Sequence, residues 1–119
     1  MSLFTTRAKL IQAVLRRLGA WQSGQDLAAE DYQAVDDDLD GLLAAMAVAD
    51  VYSVESADHV PIEVYLEVAN YIAGEMAEVF GLTGEELAKV QTRSGLAEKA
   101  LRYVRTSKPT YQTMQADYF

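Results

Sequence analysis

The sequence predicts an all-α domain of four helices, with a short extended segment between the second and third and an extended C-terminal arm. Three observations carry that reading. Apolar residues recur at steps of three and four along most of the chain, the spacing of a helix face. Glycines and a proline stand where helices stop and start. At 119 residues, half of them apolar, the chain is long enough for one core and not for two. The division that follows is a helical domain over 1–105 and an arm over 106–119.

The first helix is capped by Thr5 or Thr6 and presents Ala8, Ile11, Leu15 and Leu18 on one face, with Leu10 and Val14 beside them. Gly19 ends it, and Arg16 and Arg17 place positive charge in its last turn, at the carbonyl end. Trp21, in the turn that follows, is expected to fold onto the core as an apolar plug. The second helix starts near Ala28 or Ala29 and carries Tyr32, Val35, Leu39, Leu42, Leu43 and Met46. Alanine is a poor cap, and Glu30 and Asp31 compensate through the helix dipole. Val51–Val54 is β-prone and too short for a helix, so a strand there needs a partner from elsewhere.

The third helix is the central one. It is read from Pro61, suited to a first helical position, to Phe80, with Gly81 closing it. Ile62, Leu66, Ala69, Ala73, Met76 and Phe80 form its main apolar face, widened by Tyr65, Val68, Ile72 and Val79. The polar stripe of Glu63, Glu67, Asn70, Gly74 and Glu78 is narrow, so other helices must cover this one from at least two directions. Thr83-Gly84-Glu85-Glu86 reads as a capping box for the fourth helix, which carries Leu87, Val90, Ala97, Leu101 and Val104 and ends before Pro109. Gly95 weakens its middle by about 1 kcal/mol relative to alanine, a place for a bend. Residues 106–119 lack helical periodicity and hold three aromatics.

Charge is segregated. From Leu18 to Ala88 there are sixteen Asp and Glu and no Lys or Arg, while the two ends together carry +8. Either the ends fold back onto the middle, or they meet an acidic surface on another molecule. There is no cysteine, hence no disulfide or thiolate metal site, and no apolar run of membrane-spanning length. No secretory signal precedes the first helix.

Asp36-Asp37-Asp38-Leu39-Asp40-Gly41 matches the opening of a calcium loop, but the twelfth place, which needs a bidentate glutamate, holds Ala47. The run also sits inside a helical apolar pattern, which favours a solvated acidic helix face. Like charges one turn apart, such as Asp36 and Asp40, destabilise a helix slightly. Acid retained there is suited to repelling nucleic acid. Ser56, Asp58 and His59 hold the residue types of a catalytic triad, but neighbours in sequence seldom reach its geometry. No glycine-rich phosphate loop follows a strand, and the acidic second and third helices suit no DNA-reading helix. Neither catalysis nor a cofactor is expected.

The order of elements resembles the head-completion, or head-to-tail adaptor, proteins of tailed bacteriophages, of the type that stabilises packaged DNA. The resemblance runs through Leu10-Ile11-Gln12-Ala13-Val14-Leu15-Arg16-Arg17-Leu18-Gly19, then Ala29-Glu30-Asp31-Tyr32 leading to Leu39-Asp40-Gly41-Leu42-Leu43. It continues through Pro61-Ile62-Glu63-Val64-Tyr65 and Phe80-Gly81 to Glu85-Glu86-Leu87-Ala88 and Ala97-Glu98-Lys99-Ala100-Leu101. It covers residues 5–105 as a pattern of periodicity and stops, and departs from the family near Ala47, where a tryptophan is expected.

The resemblance implies a non-enzymatic virion subunit, assembled in the host cytoplasm. It binds the portal protein in a ring of about twelve copies of itself. The ring extends the DNA channel and receives the next tail component; DNA passes without specific binding, and no membrane is involved. Family members use a C-terminal extension to contact the portal, a role that falls here to Tyr111, Met114, Tyr118 and Phe119. Asp36, Asp37, Asp38 and Asp40 are the candidate acidic channel or subunit-interface face, and Arg93, Arg102 and Arg105 the candidate basic interface. The alternative is a small acidic helical regulator or inhibitor that binds a basic partner protein one to one.

Overall fold

Four helices and a two-stranded ladder follow one another in the order β1 (Phe4–Thr5), α1 (Arg7–Arg17), α2 (Ala29–Val48), β2 (Val60–Pro61), α3 (Tyr65–Met76) and α4 (Gly84–Ser107). They are seen in a computed structural model that describes residues 3–22 and 24–107. The predicted all-α class and helix number hold.

The helix starts and stops are built from local chemistry. Thr6 is the N-cap of α1, and its hydroxyl accepts the backbone N–H of Lys9 at 3.3 Å. α2 starts after Ala28, which makes no side-chain cap bond. α1 and α2 close in the same way. The N–H two residues past the cap donates back to a carbonyl five residues earlier, Ala20 to Leu15 and Val51 to Met46, and the residue between takes a left-handed conformation. α3 ends at Met76, four residues short of the Phe80 read from the sequence, and the turns that follow it close at Gly81, where Leu82 donates to the Ala77 carbonyl. Gly19 (φ 74°) and Gly81 (φ 77°) are left-handed without a Cβ penalty, whereas α2 uses Asp50 (φ 63°). α4 runs unbroken through Gly95 and reaches Ser107, two residues past the boundary read at 105.

The start of the central helix differs from its reading. Pro61 is a strand residue, paired antiparallel with Phe4, and Val60 pairs with Thr5. The N–H of Ile62 extends the ladder to the Leu3 carbonyl at 3.0 Å. The chain then turns, and α3 begins only at Tyr65. Ladder hydrogen bonds thus hold the segment that propensity offered to the helix. The consequence is a shifted face. Ile62 and Leu66 are about half exposed and Val79 more so, while Val68, Ala69, Tyr71, Ile72, Ala73 and Met76 are buried. The partner strand anticipated for Val51–Val54 also lies elsewhere. Those residues are not a strand; the ladder joins Val60–Pro61 to the N-terminal Phe4–Thr5, and Val51 serves as a core residue.

The core joins Leu10, Ile11, Val14 and Leu15 of α1, Val35, Leu39 and Met46 of α2, the buried α3 residues, and Val90, Ala97 and Leu101 of α4. α3 packs most extensively on α4 and next on α1, and α1 packs on α2. α3 thus lies between α4 and α1, and α2 packs across α1 and, less extensively, α3. α3 is covered from two directions, as its wide apolar face requires, and α2 and α4 are the outer helices.

Candidate functional site

The two outer helices carry opposite charge: α2 holds six acidic and no basic residues, and α4 holds five basic residues from Lys89 onward. Among the described residues no three His, Asp or Glu groups come together to hold a metal ion, and no helix is long and apolar enough to cross a membrane. The aspartate run lies in the middle of α2, where no calcium loop can form. His59 is exposed at the sheet, its ring edge-on to Phe4 at 5.5 Å. Asp58 accepts the backbone N–H of Arg7 at 3.4 Å, at the positive end of α1.

The helix turn divides the aspartates into two sets. Asp36 and Asp40 are bound by one residue, Arg7. Its Nε donates to Asp36 Oδ1 at 2.6 Å, its Nη1 to Asp40 Oδ1 at 2.7 Å, and its Nη2 to the Asp36 carbonyl at 2.9 Å. The repulsion between two carboxylates one turn apart is thereby answered inside the subunit. Asp40 and Asp36 in turn hold the Arg7 pKa above its usual value, so the guanidinium stays charged wherever the domain is folded. Asp37 and Asp38 are exposed, and Asp37 accepts from Gln33 at 2.6 Å. The outward acidic face is therefore Asp37 and Asp38, with Asp40 still 75% exposed beside Arg7.

Arg7→Met should lower stability by about 1.5–3 kcal/mol, the range for hydrogen bonds to charged groups. Most of that should come from the half-buried Asp36, because Asp40 is 75% exposed and solvent screens its contact. Asp37→Asn should change stability by less than about 0.5 kcal/mol, as surface substitutions do. Urea titrations of the two variants check both values; equal losses would mean that the exposed aspartates carry structural weight too.

The basic residues divide similarly. Arg102 and Arg105 turn to the C-terminal end of α2, which has no basic residue of its own. Arg102 donates to the carbonyls of Asp50 (3.1 Å) and Ala49 (3.3 Å), and Arg105 lies 3.2 Å from the Asp50 carboxylate. They supply across space the positive charge that suits a helix C-terminus, and Asp50 holds its left-handed position beneath them. Arg17 is similarly occupied. It donates to Asn70 Oδ1 at 2.6 Å and to the Ala13 carbonyl at 3.1 Å, and burial, then the nearby Arg93, lowers its pKa. Arg16 lies over the ring of Trp21, 4.6 Å from the centroid, and the half-buried Trp21 packs against the core as read.

Of the three arginines assigned to a basic interface, Arg93 is the one that faces outward. It is exposed on α4 beside Lys89, Leu96 and Lys99. Tyr111, Met114, Tyr118 and Phe119 lie outside the described residues. Sequence reasoning missed two features here. The first is Arg7, whose partners lie 29 and 33 residues away and share no local pattern with it. The second is a cavity of about 270 Å³ between α2 and the segment after it, lined by Leu43, Ala44, Ala47 and Val54 and by the acidic Asp40 and Glu55. No protein-family model matches this chain, and no curated protein or solved structure matches it either.

Proposed function

We propose that the chain is a non-enzymatic structural subunit of a tailed-phage particle, a head-to-tail adaptor that forms a ring beneath the portal. In this reading the ring extends the DNA channel, connects the head to the next tail component and resides in the virion after assembly in the host cytoplasm. The observation that carries it is the opposite charge of the two outer helices. α2 holds six acidic and no basic residues, while α4 holds five basic and three acidic, two of these acids, Glu85 and Glu86, confined to its first turn. A closed ring needs two different, complementary patches on each subunit, and these helices supply them. Together with the resemblance over residues 5–105, that charge division supports the reading. Asp37 and Asp38 suit a channel wall, because duplex DNA binds where Lys and Arg neutralise its phosphates and is repelled by carboxylates.

The test is binding to purified portal rings. The full-length chain should bind in several copies per ring, more weakly as salt rises. Deleting residues 111–119 should remove most of the binding while leaving the helical circular dichroism unchanged. Equal binding by the truncated chain would remove the anchor role from Tyr111, Met114, Tyr118 and Phe119. No binding at low salt by the full-length chain would overturn the adaptor reading. The exposed acids of α2 favour one other reading, a regulator that holds a basic partner protein one to one; a one-to-one complex in place of a multimer would support it.

A further inference from the structure

We infer that Leu96 on α4 of one copy inserts into the cavity beside α2 of the next, with Arg93 and Lys89 set against the carboxylate of Glu55 and against Asp40, which stays 75% exposed beside its Arg7 partner. This rests on the ring-forming part of the function proposed above and names the surfaces that meet. Leu96 is 61% exposed on α4. Arg93 and Lys89 precede it by three and seven residues, so all three share one stripe of α4. At about 270 Å³ the cavity falls below the roughly 300–1,000 Å³ of small-molecule pockets. Its floor of Leu43, Ala44, Ala47 and Val54 is aliphatic, and its polar side chains include two carboxylates. That chemistry fits an aliphatic side chain flanked by cations. Leu96 with Arg93 and Lys89, which together line an open hollow on α4, has the matching chemistry.

Charge selects a second copy of this chain, joined head to tail. A symmetric contact of α4 with α4 would oppose Lys89 and Arg93 to their own copies, and one of α2 with α2 would oppose Asp40 and Glu55 to theirs. A contact of α4 with α2 pairs opposite signs. Such a contact leaves one knob and one socket unused at the ends of every chain of copies, so it propagates until a ring closes.

The absence of cysteine permits a direct test. Leu96→Cys and Ala47→Cys are made separately in the full chain, mixed at high protein concentration and low salt, and oxidised. Cysteines can bridge only when their Cα atoms come within about 7 Å. The mixture should give at least about tenfold more disulfide dimer than either variant alone, a difference that shrinks as salt screens the paired charges. A chain carrying both substitutions should give a ladder of multimers. Adding Arg93→Glu to the Leu96→Cys partner should remove the cross-link, and Glu55→Lys in the Ala47→Cys partner should restore it. The inference falls if the mixture cross-links no better than the single variants, if Leu96→Cys alone does as well, or if Arg93→Glu has no effect. Portal binding without the cross-link would remove this contact and leave the adaptor reading standing. The cross-link without portal binding would do the reverse.

Discussion

Ile72→Asp should leave no cooperatively folded domain at neutral pH. Ile72 is fully buried on α3, the helix packed between α1 and α4. Removing its branched side chain already costs about 2–5 kcal/mol through lost burial and the cavity left behind. Placing a carboxylate there adds the cost of burying a group with no designed partner. The sum is comparable to the whole stability of a domain this size, about 5–15 kcal/mol. The pH dependence identifies the cause. Burial raises the new carboxyl's pKa in the folded form above the unfolded value of about 3.9, so the folded form binds the proton more readily. The penalty is therefore smallest below about pH 4 and grows as pH rises towards the raised folded value. Ile72→Val, which keeps the shape, should lose only about 0.5–1.5 kcal/mol. Denaturant titrations of both variants check this; a cooperative transition for Ile72→Asp near the wild-type midpoint would show that residue 72 is not enclosed.

Local signals recovered the helices because their ends are chemically marked. Thr6, Gly19 and Gly81 act within a few residues of where they stand, and each does what its type allows. The start of α3 was misplaced for the opposite reason. Val60 and Pro61 are held by Phe4 and Thr5, more than fifty residues away, and no periodicity near Pro61 reports a strand at the other end of the chain. Asp50 escaped notice because a left-handed aspartate lacks glycine's signature, and its support comes from Arg102 and Arg105 on α4.

The charge segregation was plain in the sequence, yet its meaning was divided. Arg7, Arg102 and Arg105 fold back onto α2, as the neutralising reading required. Lys89, Arg93 and Lys99 stay exposed, as the partner-seeking reading required. Which arginine does which depends on the helical phase of α4 and on where α2 ends in space. Only the packed structure supplies both.

Gly74→Ala should destabilise the domain by about 3 kcal/mol, against the sign that helix propensity assigns. In an exposed helix interior, alanine is better than glycine by about 1 kcal/mol. Here the glycine faces α4 with no room for a side chain. A Cβ at residue 74 would collide with both Cβ and Oγ of Ser94. Oγ can rotate away, though it would then give up its 3.2 Å hydrogen bond to the Tyr71 carbonyl. The Ser94 Cβ is fixed to the α4 backbone and cannot move alone, so the two helices must part. Overpacking a core costs about 1–3 kcal/mol. The upper end is expected because the parted interface is the most extensive one in the fold and the principal attachment of α4. The balance falls clearly on the side of destabilisation. Ser94→Gly removes both obstructing atoms, at the cost of about 0.5 kcal/mol of helix propensity and the bond to Tyr71. The two substitutions together should therefore be more stable than Gly74→Ala alone, with a favourable coupling of more than about 1 kcal/mol in a double-mutant cycle. Urea midpoints of the four proteins give that coupling directly. A Gly74→Ala variant more stable than the wild type would show that α3 and α4 do not meet at this residue.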